Sequence, residues 1–227
     1  MDWKFLQDGD PAETAVLAAS VASSVLYLAH VRTAPSRMRM AYKALSTLLL
    51  ACFAAQRATS GRASPALLVP ALALGSLGDA FLAWPGEANF LCGLGSFLVA
   101  HLFYVAVFAG GASAGRAQIS RDAWRQAMAG GMALLAPGMA AVLMPRVAGA
   151  LRAPILVYTA TILVMVLAVL TVPNSTVVLG GVLFALSDSI LATEEFVVAR
   201  ESGHRPWMQH AVWVLYYSGQ LLIAVGF

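Results

Sequence analysis

Apolar residues run along this chain in eight long blocks. They are approximately Thr14–His30, Tyr42–Gln56, Ser64–Ala83, Phe90–Phe108, Trp124–Met144, Pro154–Val172, Val177–Phe196 and His210–Phe227. A helix rises about 1.5 Å per residue, so about 20 apolar residues cross a bilayer core. The breaks between blocks carry Pro, Gly, Arg or Asn, as in Thr33-Ala34-Pro35-Ser36-Arg37, Pro85-Gly86-Glu87 and Pro173-Asn174. None is long enough to hold a soluble domain. The pattern predicts an all-α, polytopic membrane helix bundle of about eight transmembrane helices. The expected organisation is one transmembrane domain, residues 1–227, with a short N-terminal tail, residues 1–13.

Composition agrees with the pattern. The chain is 60% hydrophobic and 11% charged, where a soluble domain carries roughly 25% charged residues. The net charge of +3 is spread over short loops, which speaks for membrane topology and against a nucleic-acid surface. Met1–Glu13 is acidic and has no apolar run, so it is not a signal peptide. Cys52 and Cys92 read as small apolar packing residues, and no Cys/His spacing suits a metal.

Eight spans put both termini on one side, here side A. Lys4, Arg57, Arg62, Arg116, Arg121 and Arg125 fall on side A. Arg32, Arg37, Arg39, Arg146, Arg152, Arg200 and Arg205 fall on side B. The near balance decides little. The flanks of the first helix, one Lys before and three Arg after, point to side B as cytoplasmic.

Two aspartates interrupt the apolar blocks: Leu77-Gly78-Asp79-Ala80 and Leu186-Ser187-Asp188-Ser189. A charged group at the bilayer centre costs roughly 2.5–3.5 kcal/mol on insertion scales. Such residues ask for a catalytic or ion-handling role. Lys43, Asp79, His101, Tyr158, Asp188 and Tyr217 all fall in the half of the membrane nearer side B, or close to its boundary. In the fourth block Phe90, Gly93, Phe97, His101, Tyr104 and Phe108 share a helical stripe; in the last, His210, Trp213, Tyr217, Gln220 and Ala224 do. A shift of 109 residues lays Lys43 on Arg152, Asp79 on Asp188 and His101 on His210, the pattern a parallel repeat leaves.

Structural roles are open to the same residues. The acids can pair with Lys43 or bond neighbouring helices, and Lys43 can snorkel. His101 can pack, and Tyr104, Tyr158, Tyr217 and Gln220 can bond between helices or line a pocket. Glu194 and Glu195, at a segment end, read as solvated. Trp3, Trp84, Trp124 and Trp207 suit an interfacial belt. There is no Gly-x-Ser-x-Gly elbow and no His-Glu-x-x-His zinc helix. Glu194-Glu195 to Arg200 misses the Glu-Glu-x-x-x-Arg spacing of intramembrane prenyl-protein proteases by one residue. On physics alone, an enzyme and a proton-coupled membrane transporter fit these residues equally, with a helix-gluing scaffold as a third class.

An ordered set of motifs goes further. Leu77-Gly78-Asp79, then Phe90, Gly93, Phe97, His101 and Tyr104, then Phe184, Ser187, Asp188 and Ser189, then Tyr216-Tyr217-Ser218-Gly219-Gln220 resemble the YhhN family. Its members are multi-span membrane proteins that include the lysoplasmalogenases. Lys43-Ala44-Leu45 resembles the family's Lys-Pro-Leu segment, with Ala44 where proline is usual. The resemblance runs from about Lys43 to the C-terminus.

The resemblance implies hydrolysis of the vinyl ether bond of a lysophospholipid substrate, a lysoplasmalogen. The products are a fatty aldehyde and glycerophosphoethanolamine or glycerophosphocholine. Vinyl ethers hydrolyse by protonation of the β-carbon to an oxocarbenium ion. Two carboxylates can supply the proton, the water activation and the nearby negative charge, as in two-carboxylate glycosidases. Asp79 and Asp188 are the expected catalytic pair, with His101 holding or relaying water. Lys43 is expected to bind the lipid phosphate. Tyr104, Tyr158, Ser187, Tyr217 and Gln220 are the expected substrate-binding residues. The scheme calls for no cofactor and no metal.

Overall fold

The computed structural model describes residues 10–59, 65–111 and 116–227. Trp3, Lys4, Arg62, Ser64, most of the N-terminal tail and the Arg116 side chain lie outside the described residues. The described chain is all helix: α1 (Pro11–His30), α2 (Arg37–Thr59), α3 (Leu68–Leu82), α4 (Glu87–Gly110), α5 (Arg116–Arg121), α6 (Ala123–Leu143), α7 (Gly149–Val169), α8 (Ser175–Phe196) and α9 (Arg205–Gly226). Each of the eight apolar blocks is a helix, and the short α5 is an addition.

Local chemistry sets the ends. Asp10 caps α1 by accepting from the Ala12 N–H at 2.9 Å, and Pro11 opens the helix where its missing N–H costs nothing. Asn174 does the same for α8 through Thr176 N–H. Pro85 stops the chain after α3, and Gly86, at φ 118°, makes the left-handed turn into α4. Six helices (α1, α2, α4, α6, α7 and α8) are long and apolar enough to cross a membrane. The α3 helix has 15 residues and starts at Leu68 rather than near Ser64. Large apolar side chains face outward, Leu134 at 78% exposure and Val25 at 59% among them. Water would not tolerate so many, whereas lipid does.

The chain divides into two compact units. The first comprises residues 1–104 and 220–227, the second residues 105–219, so both boundaries fall inside helices, α4 and α9.

In the first unit, α2 is flanked by α1 and α3, and serines join them. Ser20 Oγ donates to the Ser46 carbonyl at 2.6 Å, and Ser23 Oγ to that of Tyr42 at 3.1 Å. From α3, Ser76 Oγ donates to the Ala44 carbonyl at 2.7 Å. Lipid supplies no hydrophobic drive between helices, so small residues and such bonds hold them. The Phe97 ring of α4 lies directly on Gly78; a Cβ there would sit 2.6 Å from it. Arg39, at the start of α2, donates to the Val31 and Ala83 carbonyls, each at 3.1 Å, and so caps α1 and α3 together.

The second unit uses the same devices. A Cβ on Gly219 would meet Gly180 O at 2.8 Å, so α9 and α8 touch backbone to backbone. Arg125, only 2% exposed, donates to the carbonyls of Leu170, Val172 and Pro173 beyond α7 at 2.6, 2.8 and 3.2 Å. Leu143, Val147 and Ile155 form an apolar cluster. Cys52 and Cys92 face outward rather than packing inside. Both sit on helices whose apolar surface extends all round, so the hydropathy pattern did not separate inward from lipid-facing positions.

Candidate functional site

Lys43 and Thr47 stand one turn apart on α2, so they share a face. That face meets Asp79 of α3. Lys43 Nζ lies 3.5 Å from Asp79 Oδ1, and Thr47 Oγ1 donates to Oδ2 at 3.0 Å. Asp79 is 1% exposed and Thr47 is fully buried. The two carboxylate oxygens therefore have different partners, a cation and a hydroxyl. Tyr27 of α1 closes the cluster. Its ring lies under the Arg39 guanidinium at 5.6 Å and the Lys43 ammonium at 5.8 Å.

His101 and Tyr104 of α4 belong to the same unit and are fully buried. His101 Nδ1 lies 2.6 Å from the Phe97 carbonyl one turn back. A carbonyl only accepts, so Nδ1 donates, which fixes the ring and makes Nε2 the nitrogen that can accept. The Tyr104 hydroxyl donates to Gln220 Oε1, and Tyr104 lies within Coulombic reach of Asp79.

Asp188 anchors the second unit. It is 8% exposed, and its Oδ2 accepts from the Tyr158 hydroxyl of α7 at 3.0 Å. Ser187, next to it, donates to the Val212 carbonyl of α9 at 3.0 Å, which ties α8 to α9. Tyr217 stacks on Trp213, with centroids 6.0 Å apart. The structure thus joins the expected residues in three pairs: Lys43 with Asp79, Tyr104 with Gln220, and Tyr158 with Asp188.

Two features depart from the sequence reading. Glu194 is buried at 5% exposure, not solvated. Arg205 Nη2 lies 3.3 Å from its carboxylate and Gln209 Nε2 donates to it at 2.8 Å. A segment end looks water-facing in sequence, but the turn brings the start of α9 back over it; Glu195 alone is exposed. Thr47 was not among the expected site residues. Its signal was its place one turn after Lys43. Among the described residues no group of three or more His, Cys, Asp or Glu is placed to hold a metal.

Apolar helices of spanning length, outward-facing apolar side chains and buried polar pairs define a multi-pass membrane protein. The profile of the YhhN family matches residues 38–227, and the chain belongs to that family. Similar proteins include the lysoplasmalogenases of Mycobacterium bovis and Mycobacterium tuberculosis. Each is 32% identical over 199 residues, covering 86% of this chain and 72% of the relative. The chain is lysoplasmalogenase-like in this sense. No solved structure matches it.

Proposed function

We propose that this protein hydrolyses the vinyl ether bond of a lysoplasmalogen, at the membrane, in a bacterial inner membrane. The likeness to two lysoplasmalogenases over 86% of the chain carries this reading. The buried acids supply a chemistry for it.

A proton is added to the β-carbon of the vinyl ether, and the α-carbon becomes an oxocarbenium ion. Water adds to that carbon and loses a proton. The hemiacetal then releases the glycerol oxygen as an alcohol and leaves a fatty aldehyde. One water is consumed, and no electron acceptor or metal is needed. Asp79, beside the Lys43 ammonium, takes the anionic role of stabilising the cation. Asp188 and Tyr158, joined by a hydrogen bond, take proton delivery. His101 Nε2, an acceptor, takes the water. Lys43 has three donors, so it can face Asp79 and still meet a lipid phosphate.

The test is purified protein in detergent, given a lysoplasmalogen and its saturated-ether analogue. Aldehyde is expected from the vinyl ether alone. One observation favours a second reading: a lysine–aspartate pair buried between apolar helices also suits a proton-coupled transporter. Proton-driven flux in liposomes, with no aldehyde from the vinyl ether, would select that reading.

A further inference from the structure

Thr47 is a buried hydroxyl in an apolar helix, and its bond goes to the buried carboxylate of Asp79 on the neighbouring helix. A threonine in a helix commonly turns its hydroxyl to the carbonyl one turn back, as Thr159 and Thr161 do on α7, each at 2.8 Å. Thr47 reaches across to α3 and meets Asp79 Oδ2 at 3.0 Å.

The rest of the cluster shows why that direction matters. The Lys43 ammonium lies 3.5 Å from Oδ1, longer than a close charge-assisted hydrogen bond, which runs about 2.7–2.9 Å. Lys43 stands on four rotatable carbons and is the more exposed partner, 12% against 2%. It compensates the charge without fixing the angle of the carboxylate plane. Thr47 is β-branched, so its χ1 is stiff, and it is fully buried. Its hydroxyl is the short, rigid contact. Nearby, Ser76 of α3 is bonded to the Ala44 carbonyl of α2, which sets the register of the two helices one turn from Asp79.

From this division we infer that Thr47 is a positioning residue. It holds Asp79 Oδ2 so that Oδ1 keeps its cation and the carboxylate keeps one orientation toward the developing oxocarbenium ion. The inference rests on the proposed hydrolysis and adds to it a residue that does not touch the substrate. The effect belongs in kcat rather than KM, because the oriented charge stabilises the transition state and not the bound lipid.

The experiment compares wild type, Thr47→Val and Thr47→Ser on the same lysoplasmalogen, with thermal unfolding in detergent measured alongside. Valine keeps the shape and removes the hydroxyl; serine keeps the hydroxyl. Thr47→Val is expected to lower kcat by about 10- to 100-fold, the range for a lost hydrogen bond to a charged group, with KM within about threefold. Thr47→Ser is expected to stay within about threefold of wild type in both. If Thr47→Val does not fold, Thr47→Ala takes its place with the same expected loss. Wild-type kcat in the hydroxyl-free variant overturns the inference alone, as does an equal loss in Thr47→Ser. No aldehyde from folded wild-type protein overturns the hydrolase reading and this one with it.

Discussion

The two buried aspartates sit in unlike company. Asp79 is bonded to an ammonium and a threonine hydroxyl on one neighbouring helix, while Asp188 accepts from a phenol at 3.0 Å. The repeat at 109 residues fails at this point. Asp188 stands where Asp79 does, and His210 donates Nδ1 to the Pro206 carbonyl as His101 does to that of Phe97. Arg152, in register with Lys43, donates to the Val147 carbonyl at 3.4 Å, whereas Lys43 pairs with Asp79. A carboxylate beside an ammonium is a standing charge. A carboxylate that accepts from a phenol has a neutral donor in place of a cation. Acids in similar sequence settings therefore differ in the partners that surround them.

Replacing the acids tests the comparison most severely. Asp79→Asn and Asp188→Asn are each expected to cut aldehyde release by about 10²–10⁴-fold, the range for a lost acid or base. Full activity in either one removes that acid from the chemistry. Next in size is Lys43→Met. It leaves a buried carboxylate without its cation, at a cost of roughly 3 kcal/mol, and should lower the unfolding midpoint. Lys43→Met combined with Asp79→Asn should recover most of that loss, because no uncompensated charge remains. Additive destabilisation in the double variant would mean that the two side chains are not coupled. The smallest effect belongs to Tyr158→Phe, which removes one hydrogen bond to Asp188, worth roughly 1 kcal/mol, and should slow turnover by about fivefold. Unchanged kcat in that variant would take Tyr158 out of proton delivery.

The helices were legible because hydropathy in a membrane chain is nearly a map of its elements. Their ends were less so. Pro65 and Pro70 delay α3, and six residues, too few for a periodic pattern, form α5. The candidate site residues were legible as residue types, since polar groups in apolar blocks announce themselves. Their partners were not. Thr47 looks like any helical threonine until α3 is laid against it. Arg125 counted as a loop charge, yet it is buried under carbonyls 45–48 residues further along. Glu194 looked solvated because its partner, Arg205, is 11 positions away across a turn. Each miss is a contact between segments, which periodicity within one segment does not encode.

Arg125 carries one more consequence, for the making of the protein rather than its working. Its guanidinium is satisfied by the carbonyls of Leu170, Val172 and Pro173. When Arg125 is added to the growing chain, none of those carbonyls exists. At 5–20 residues per second, the intervening stretch takes roughly 2–10 s to appear. Through that interval Asp122, three residues earlier and 2.9 Å from Nε in the folded protein, is the partner already made. The hydrogen bonds of Arg125 are complete only once the end of α7 is in place, so the burial of this charge on α6 is coupled to the docking of α7.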